Sequence, residues 1–153
     1  MKRRARRSVA VVLGVVALGW LARDGRTDAP PGRYTVTAET VHDGVTKLTW
    51  QRHPSAQLVA WSDAAAACGK LSTEGTGWRM PSISELESLV DRSRYNWALD
   101  PAAFPRPQSP LEDRFWSATP SAGTPGSGWQ VDFYHGNSNT QSKATKLYLR
   151  CVR

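Results

Sequence analysis

Apolar and polar positions along this chain repeat with two different periods. β-Branched and aromatic residues alternate with others in RYTVTAETV, residues 33–41, which is the pattern of a strand. The same alternation predicts strands at residues 45–52, 115–120 and 129–135, the last two separated by a Gly/Ser/Pro turn. Four strands are predicted from this period of two.

The last residues, LYLRCVR, predict one more strand. One face would carry Leu147, Leu149 and Cys151, and the other would carry Tyr148, Arg150 and Val152. Chain ends fray unless something ties them down. The position of Cys151 two residues from the end therefore suggests a tie at this point.

A longer period marks a first helix in WSDAAAACGKL, residues 61–71. Its apolar stripe consists of Trp61, Ala64, Ala65, Cys68 and Leu71. Consecutive alanines favour a helix that packs closely on its neighbours. Cys68 is therefore predicted on the buried face of this helix.

A second helix is predicted in SISELESLVD, residues 82–91. Ser82 and Glu85 have the spacing of a capping box at its start. Its apolar stripe consists of Ile83, Leu86, Leu89 and Val90. Glu85 and Glu87 do not make a facing acid/base pair, because residues two apart on a helix point in different directions.

Two polar stretches predict loops. Residues 92–113 are irregular and rich in proline, and a long loop in a compact domain is more often functional than idle. The stretch GNSNTQSK, residues 136–143, predicts the tip of a hairpin that returns the chain to its final strand.

The N-terminal residues predict targeting rather than fold. Basic residues precede an apolar run that is short for a membrane span, so residues 1–22 are predicted to be a signal peptide or an uncleaved N-terminal anchor. An intracellular protein is the remaining alternative, and a lipoprotein is excluded because no cysteine follows the run. Residues 23–32 form a Pro/Gly linker, and residues 33–153 form the domain. We expect the protein to be exported to the periplasm, the cell surface or the medium.

The net charge of +7 belongs mainly to this N-terminal segment. Residues 1–26 contain seven basic residues and one acid, so they hold six of the seven net positive charges. A nucleic-acid partner therefore loses its main support.

Cys68 and Cys151 are the only cysteines of the chain. In an oxidising compartment they are the only possible intramolecular pair, and the bridge would join the first helix to the last strand. The alternative is two unrelated buried thiols that act as small apolar residues. Export favours the disulfide.

Six motifs occur in order from residue 41 to residue 153: VHDGVTKLTWQR, W-x-x-A-x-x-x-C-x-x-L, GWRMPSISELESLVD, FWSATP, WQVDF and a terminal RCVR. Together they resemble the C-terminal domain family of the Legionella collagen-like adhesin, the Lcl C-terminal domain. The resemblance implies an α+β, C-type-lectin-like fold with two helices packed on a twisted antiparallel sheet, long loops and a disulfide from the first helix to the last strand.

The chain departs from calcium-dependent lectins, because it lacks the Glu-Pro-Asn or Gln-Pro-Asp signature and the accompanying Trp-Asn-Asp. The sequence Gln108-Ser109-Pro110 is not a substitute. The calcium mechanism is therefore not carried over, and no cofactor is predicted.

Enzymatic chemistry has little support. His42, His53 and His135 have no metal-binding spacing, and His42 beside Asp43 is more simply interpreted as a solvated turn pair. The formylglycine-generating enzymes, which use a related fold, need a reactive thiol that a disulfide would remove. We expect a non-catalytic protein.

Binding is the favoured class, with a glycan or an envelope protein as the partner. Aromatic and amide side chains that suit sugars concentrate around the predicted hairpin tip: Tyr134, His135, Asn137, Asn139 and Gln141. Ordinary turn chemistry is the alternative explanation.

A second candidate surface lies in the final strand. Lys146, Tyr148 and Arg150 are separated by twos, and no acid occurs from residue 133 to residue 153. Such a row would suit a sulfated or acidic glycan, a class of ligand to which the resembling adhesin also points. A basic edge that prevents strand aggregation is the alternative.

Overall fold

The protein is described by a computed structural model in residues 32–107 and 113–153. The predicted N-terminal signal or anchor, almost all of the linker, and Gln108-Ser109-Pro110 lie outside the described residues. The elements are β1 Tyr34–Val36, β2 Thr40–Asp43, β3 Thr49–Gln51, β4 Val59–Ala60, α1 Trp61–Gly69, α2 Ile83–Glu87, β5 Arg114–Pro120, β6 Ser127–Asp132, β7 Asn137–Ser142 and β8 Lys146–Leu147.

The strands form three small antiparallel sheets, in the orders β1-β2-β3, β4-β8 and β5-β6-β7. Together with the two helices they confirm a mixed α+β fold. The single twisted sheet of the prediction is replaced by these three smaller ones in the described part of the chain. None of the helices in residues 32–107 and 113–153 is long and apolar enough to cross a membrane.

The predicted strand at residues 33–41 is a hairpin instead. The hydroxyl of Thr37 accepts the N–H groups of Glu39 and Thr40, at 3.2 and 2.9 Å, which reverses the chain between β1 and β2. A threonine that bonds nearby backbone competes with the sheet ladder. The alternation of β-branched residues in the sequence therefore runs through the turn between β1 and β2, and it does not reveal that turn.

The polar stretch that predicted a hairpin tip is mostly strand β7. Its six residues pair with β6 without a break in register, from Ser127 opposite Ser142 to Asp132 opposite Asn137. The turn lies before it, where Gly136 has a φ of 69°. The prediction failed because an all-polar edge strand has no apolar alternation, and backbone pairing with β6 alone defines it.

The sheet β5-β6-β7 divides the interior into two cores, because a different helix packs on each of its faces. Directly opposite residues of paired strands share a face. On one face Ser138 of β7 donates to Glu87 of α2 at 2.5 Å. On the other face Gly128 lies beneath Trp61 of α1, where an added Cβ would approach the indole Nε1 to 2.7 Å.

The first core, on the α2 side, contains Val41, Trp50, Leu86, Leu89, Trp97, Leu99, Phe104, Phe115, Val131, Phe133 and Val152. The second core, on the α1 side, contains Ala64, Cys68, Trp78, Met80, Trp116, Leu147, Leu149 and Cys151. The final residues of the chain contribute to both cores.

The final strand is regular only at β8. Beyond it Tyr148 forms a bridge with Phe115, and Val152 forms bridges with Trp50 and Arg79. The segment therefore changes partner along its length, which is why one continuous strand does not form.

The disulfide between Cys68 and Cys151 is present, with Cα atoms 5.5 Å apart. Both residues are buried in the second core. The prediction that the end of the chain is fastened to the first helix is confirmed.

Both helices are confirmed, and α2 has the predicted capping box. The Ser82 hydroxyl accepts the N–H of Glu85 at 3.2 Å, and a Glu85 carboxylate oxygen accepts the N–H of Ser82 at 2.8 Å. The helix is shorter than predicted, with five residues, because the backbone after it bonds three residues back, from Leu89 to Leu86 and from Val90 to Glu87, both at 3.1 Å.

Candidate functional site

One face of the sheet β5-β6-β7 carries polar side chains toward its β7 edge. Asn137, Asn139 and Gln141 alternate along β7 and stand opposite Asp132, Gln130 and Gly128 of β6. We call the five polar residues the amide face: Gln130, Asp132, Asn137, Asn139 and Gln141. Asn137 and Asn139 are exposed and joined by a 3.0 Å hydrogen bond between their side chains.

Asp132 links the amide face to the turn that follows β6. One carboxylate oxygen accepts the N–H of Tyr134 at 2.8 Å, and the other lies 2.9 Å from the Nδ1 of His135. The carboxylate thereby fixes both aromatic residues of the turn beside Asn137.

Three rings form an aromatic cluster at this turn: Tyr95 and His135 are exposed, and Tyr134 is half buried. The ring centroids of Tyr134 and His135 are 4.7 Å apart, and those of Tyr95 and Tyr134 are 5.5 Å apart. Tyr95 is 68% exposed although it is a large aromatic residue. Exposed aromatic groups beside polar residues are typical of binding surfaces.

The long loop holds this cluster in place. The N–H of Asn96 donates to the carbonyl of Tyr134 at 3.1 Å, and that of Ala98 donates to Phe133 at 2.7 Å. Asn96 adopts a φ of 72°, a backbone conformation in which asparagine is enriched. The loop therefore pairs with the turn and brings Tyr95 onto it.

A partly buried ion pair also lies beside Tyr134. The Arg106 guanidinium is 5.5 Å from the Tyr134 ring centroid and bonds Asp113, with a shortest distance of 2.5 Å. Burial raises the pKa of Asp113, although the hydrogen bond from Arg106 acts to lower it. The ion pair holds the Arg106 guanidinium against the ring of Tyr134.

The structure contradicts the predicted placement of Arg150, which is completely buried. Its Nη1 donates to the carbonyls of Gln51 and Arg52 at 2.8 and 2.5 Å. The guanidinium lies over the rings of Phe104 and Phe115, 4.8 and 5.3 Å from their centroids. Arg150 is therefore part of the first core and is not accessible to a ligand.

The predicted basic row therefore does not exist as a surface. Lys146 is exposed, whereas Tyr148 is half buried and stacks on Phe115 at 5.6 Å. The alternating pattern correctly predicted that these side chains share one face. From Tyr148 onward, however, that face packs against the first core. Of the three residues only Lys146 is exposed.

Asp43 and His42, the turn pair considered in the sequence, both have structural partners. Asp43 accepts Nε and Nη2 of Arg33 at 3.0 and 2.6 Å, and His42 lies 3.3 Å from the Thr49 hydroxyl. Within the described ranges no group of three or more His, Cys, Asp or Glu residues could hold a metal ion.

Sequence reasoning missed Tyr95 and Asp132. Tyr95 is distant in sequence from the turn, and no local pattern connects the two. Asp132 carries a local signal, because it alternates with Gln130 in WQVDFYH and lies where that predicted strand approaches the turn.

Fold and site together define a class: a disulfide-linked α+β domain that exposes contiguous amide and aromatic side chains. The chain belongs to the Lcl C-terminal domain family, whose model matches residues 39–153. The family suggested by the sequence motifs is thus confirmed. A search of curated proteins finds no match.

Proposed function

We propose that this protein is a non-catalytic recognition domain that binds a glycan through the amide face and the aromatic cluster. Amide groups both donate and accept hydrogen bonds, which suits sugar hydroxyls. Aromatic rings offer flat apolar area for the C–H faces of a pyranose. The single observation that carries the proposal is that the amide face and the aromatic cluster adjoin each other. Asp132 of the amide face bonds the turn that holds the rings.

A binding role also agrees with the bonding of the cysteines and carboxylates, the groups that catalysis would use. Both cysteines of the chain are joined in the disulfide, so neither thiol is available as a nucleophile. The carboxylates of Asp43, Asp113 and Asp132 are each engaged by neighbouring donors. These contacts support recognition rather than a formylglycine-generating type of reaction.

Export is part of the proposal. Disulfides persist mainly in oxidising compartments, so the bond between Cys68 and Cys151 supports the periplasm, the cell surface or the medium. The two helices and the sheet-end site also support a C-type-lectin-like arrangement, without its calcium-binding residues.

A glycan array probed with the purified protein tests the proposal. We expect binding that Tyr95→Ala reduces about tenfold, because an exposed ring lost from a sugar contact costs on the order of 1.4 kcal/mol. Val45→Ala is the matched control, since Val45 is 64% exposed in the turn between β2 and β3, away from the site. Equal losses in both variants, or no glycan bound, would count against the proposal.

A second candidate is a protein–protein module of the envelope. It is favoured by the outer edge of β7, which pairs with no other strand in the described residues and offers free backbone groups to a partner strand. Capture from envelope extract separates the two candidates. A protein partner survives glycosidase treatment, and a glycan ligand does not.

A further inference from the structure

Arg114, the first residue of β5, stands in the same row as two residues of the amide face. It lies opposite Asp132 of β6, and Asp132 lies opposite Asn137 of β7. Directly opposite residues of a ladder share a face. Because neighbouring strands are about 4.8 Å apart, Arg114 and Asn137 are separated by roughly 10 Å across the row.

The guanidinium of Arg114 makes no hydrogen bond, ion pair or ring contact within the part of the chain that the structure describes. Its neighbour Asp132 does not pair with it, and the two carboxylate oxygens of Asp132 instead contact the N–H of Tyr134 and the ring of His135. A guanidinium is a planar fork of donors that fits a carboxylate through two parallel hydrogen bonds. The donors of Arg114 are therefore available to a ligand.

A second polar group without a hydrogen-bond partner lies in the next row of the same face. Gln130 is only 3% exposed, and its side-chain carbonyl oxygen accepts no hydrogen bond within the described residues. Its cross-strand neighbours are Trp116 and the exposed Asn139. A buried acceptor without a donor is costly, and a sugar hydroxyl that reached it would supply one.

We propose that the glycan carries a carboxylate, as uronic and sialic acids do, and that Arg114 binds this group in a bidentate manner. The inference rests on the proposed function and adds the chemical class of the sugar. The carboxylate lies at the β5 end of the row, while hydroxyls of the same sugar reach Asn137 and Asn139.

A singly charged sugar fits this surface better than a polysulfated one. Arg150 is buried and contributes no charge to the exterior, so Arg114 is not part of a basic row. Asp132 places a carboxylate in the row itself, which repels a second closely spaced anion. The expected ligand therefore has isolated carboxylates.

Calorimetry with paired sugars tests the inference on the intact protein. The pairs are tri-galacturonic acid with its carboxyl-reduced form, and sialyllactose with lactose; the two pairs separate uronic from sialic acids. We expect at least one acid to bind about tenfold more tightly than its neutral partner, equal to 1.4 kcal/mol. Arg114→Gln should abolish this preference and Arg114→Lys should keep only part of it.

Lys70→Gln is the control for charge, because Lys70 is exposed after α1 and its ammonium makes no contact in the described residues. It should leave the preference intact. Equal binding of acid and neutral sugars overturns the inference while glycan recognition stands. A preference that survives Arg114→Gln in a folded variant, or tighter binding of a heparin hexasaccharide, also overturns it. Failure of every sugar to bind overturns the proposed function as well.

Discussion

At the scale of single residues, Arg150 shows how a charged side chain becomes part of a core. Its Nη1 donates to two backbone carbonyls, and two phenylalanine rings flank the guanidinium. Its Nε and Nη2 have no partner within the described residues. Burial lowers the pKa of Arg150 to about 9, so the side chain remains charged at neutral pH.

Arg150→Ala should destabilise the protein by about 3 kcal/mol or more, because it leaves a cavity and two buried carbonyls without their donor. Lys146 lies four residues earlier in the chain and is exposed, so Lys146→Ala should change stability by less than about 0.5 kcal/mol. Urea unfolding measures both. Similar values for the two variants would show that Arg150 is not a core residue.

Glu85 makes the free energy of unfolding depend on pH. The hydrogen bond from Arg79 lowers the pKa of Glu85 to about 2 from an ordinary value of 4.5; burial opposes it, and the Ser82 backbone N–H also lowers the pKa. A carboxyl group with a lowered pKa stabilises the fold above its unfolded pKa, and this contribution is lost as pH falls from about 4.5 toward 2.

Glu85→Gln should therefore flatten the loss of stability between about pH 5 and pH 2, and at pH 7 it should lose that same contribution, on the order of 1–3 kcal/mol after solvent screening. Glutamine can still complete the capping box, so the helix should persist. Urea midpoints at several pH values test this. Glu39→Gln, at an exposed position, should retain the slope of the original protein, and an unchanged slope in Glu85→Gln would refute the assignment.

At the scale of elements, periodic apolar patterns predicted more than polar ones did. The stripe of α1 and the capping box of α2 carry their own signals, and both helices formed where expected. Strand β7 carries none, because its partner β6 defines it. The β1–β2 turn was missed because threonine suits both a strand and a local hydrogen bond.

The candidate site was predicted in part for the same reason. Tyr134, His135, Asn137 and Asn139 are close in sequence and remain close in the fold. Arg150 was misplaced because alternation gives the face of a side chain, but not what covers that face. Tyr95 depends on a long-range loop contact that no local pattern encodes.

Gly136→Ala should weaken the turn that connects β6 to β7. Its φ is 69°, and an added Cβ would lie 3.1 Å from both Ala98 and Val90. We expect a loss of about 1 kcal/mol or more in stability together with weaker glycan binding. Gly123→Ala is the matched control, since a Cβ there meets no atom within 4 Å. Indistinguishable thermal unfolding and binding of the two variants would contradict this assignment.

At the scale of the whole molecule, one covalent bond connects the end of the chain to α1. It joins residues that are 83 positions apart in sequence, and the terminal segment it holds contributes to both cores. The same segment bridges to Trp50, Arg79 and Phe115. Losing this tie should therefore loosen the domain as a unit.

Replacing both cysteines by serine should lower stability by at most about 4–5 kcal/mol in the chain-entropy account of loop closure. Urea unfolding of this variant, compared with the oxidised protein, measures the loss. A reducing agent should destabilise the original protein and leave the double variant unchanged. Equal stability with and without reductant in the original protein would contradict a structural role.

The most direct test of glycan recognition is a titration of ¹⁵N-labelled protein with sialyllactose and tri-galacturonic acid, followed by amide chemical shifts. We predict saturable shifts concentrated at residues 95–96, 114 and 130–141, where the aromatic cluster, Arg114 and the amide face lie. Saturable shifts confined to the β1–β2–β3 sheet, or no shifts with either sugar, would contradict the account.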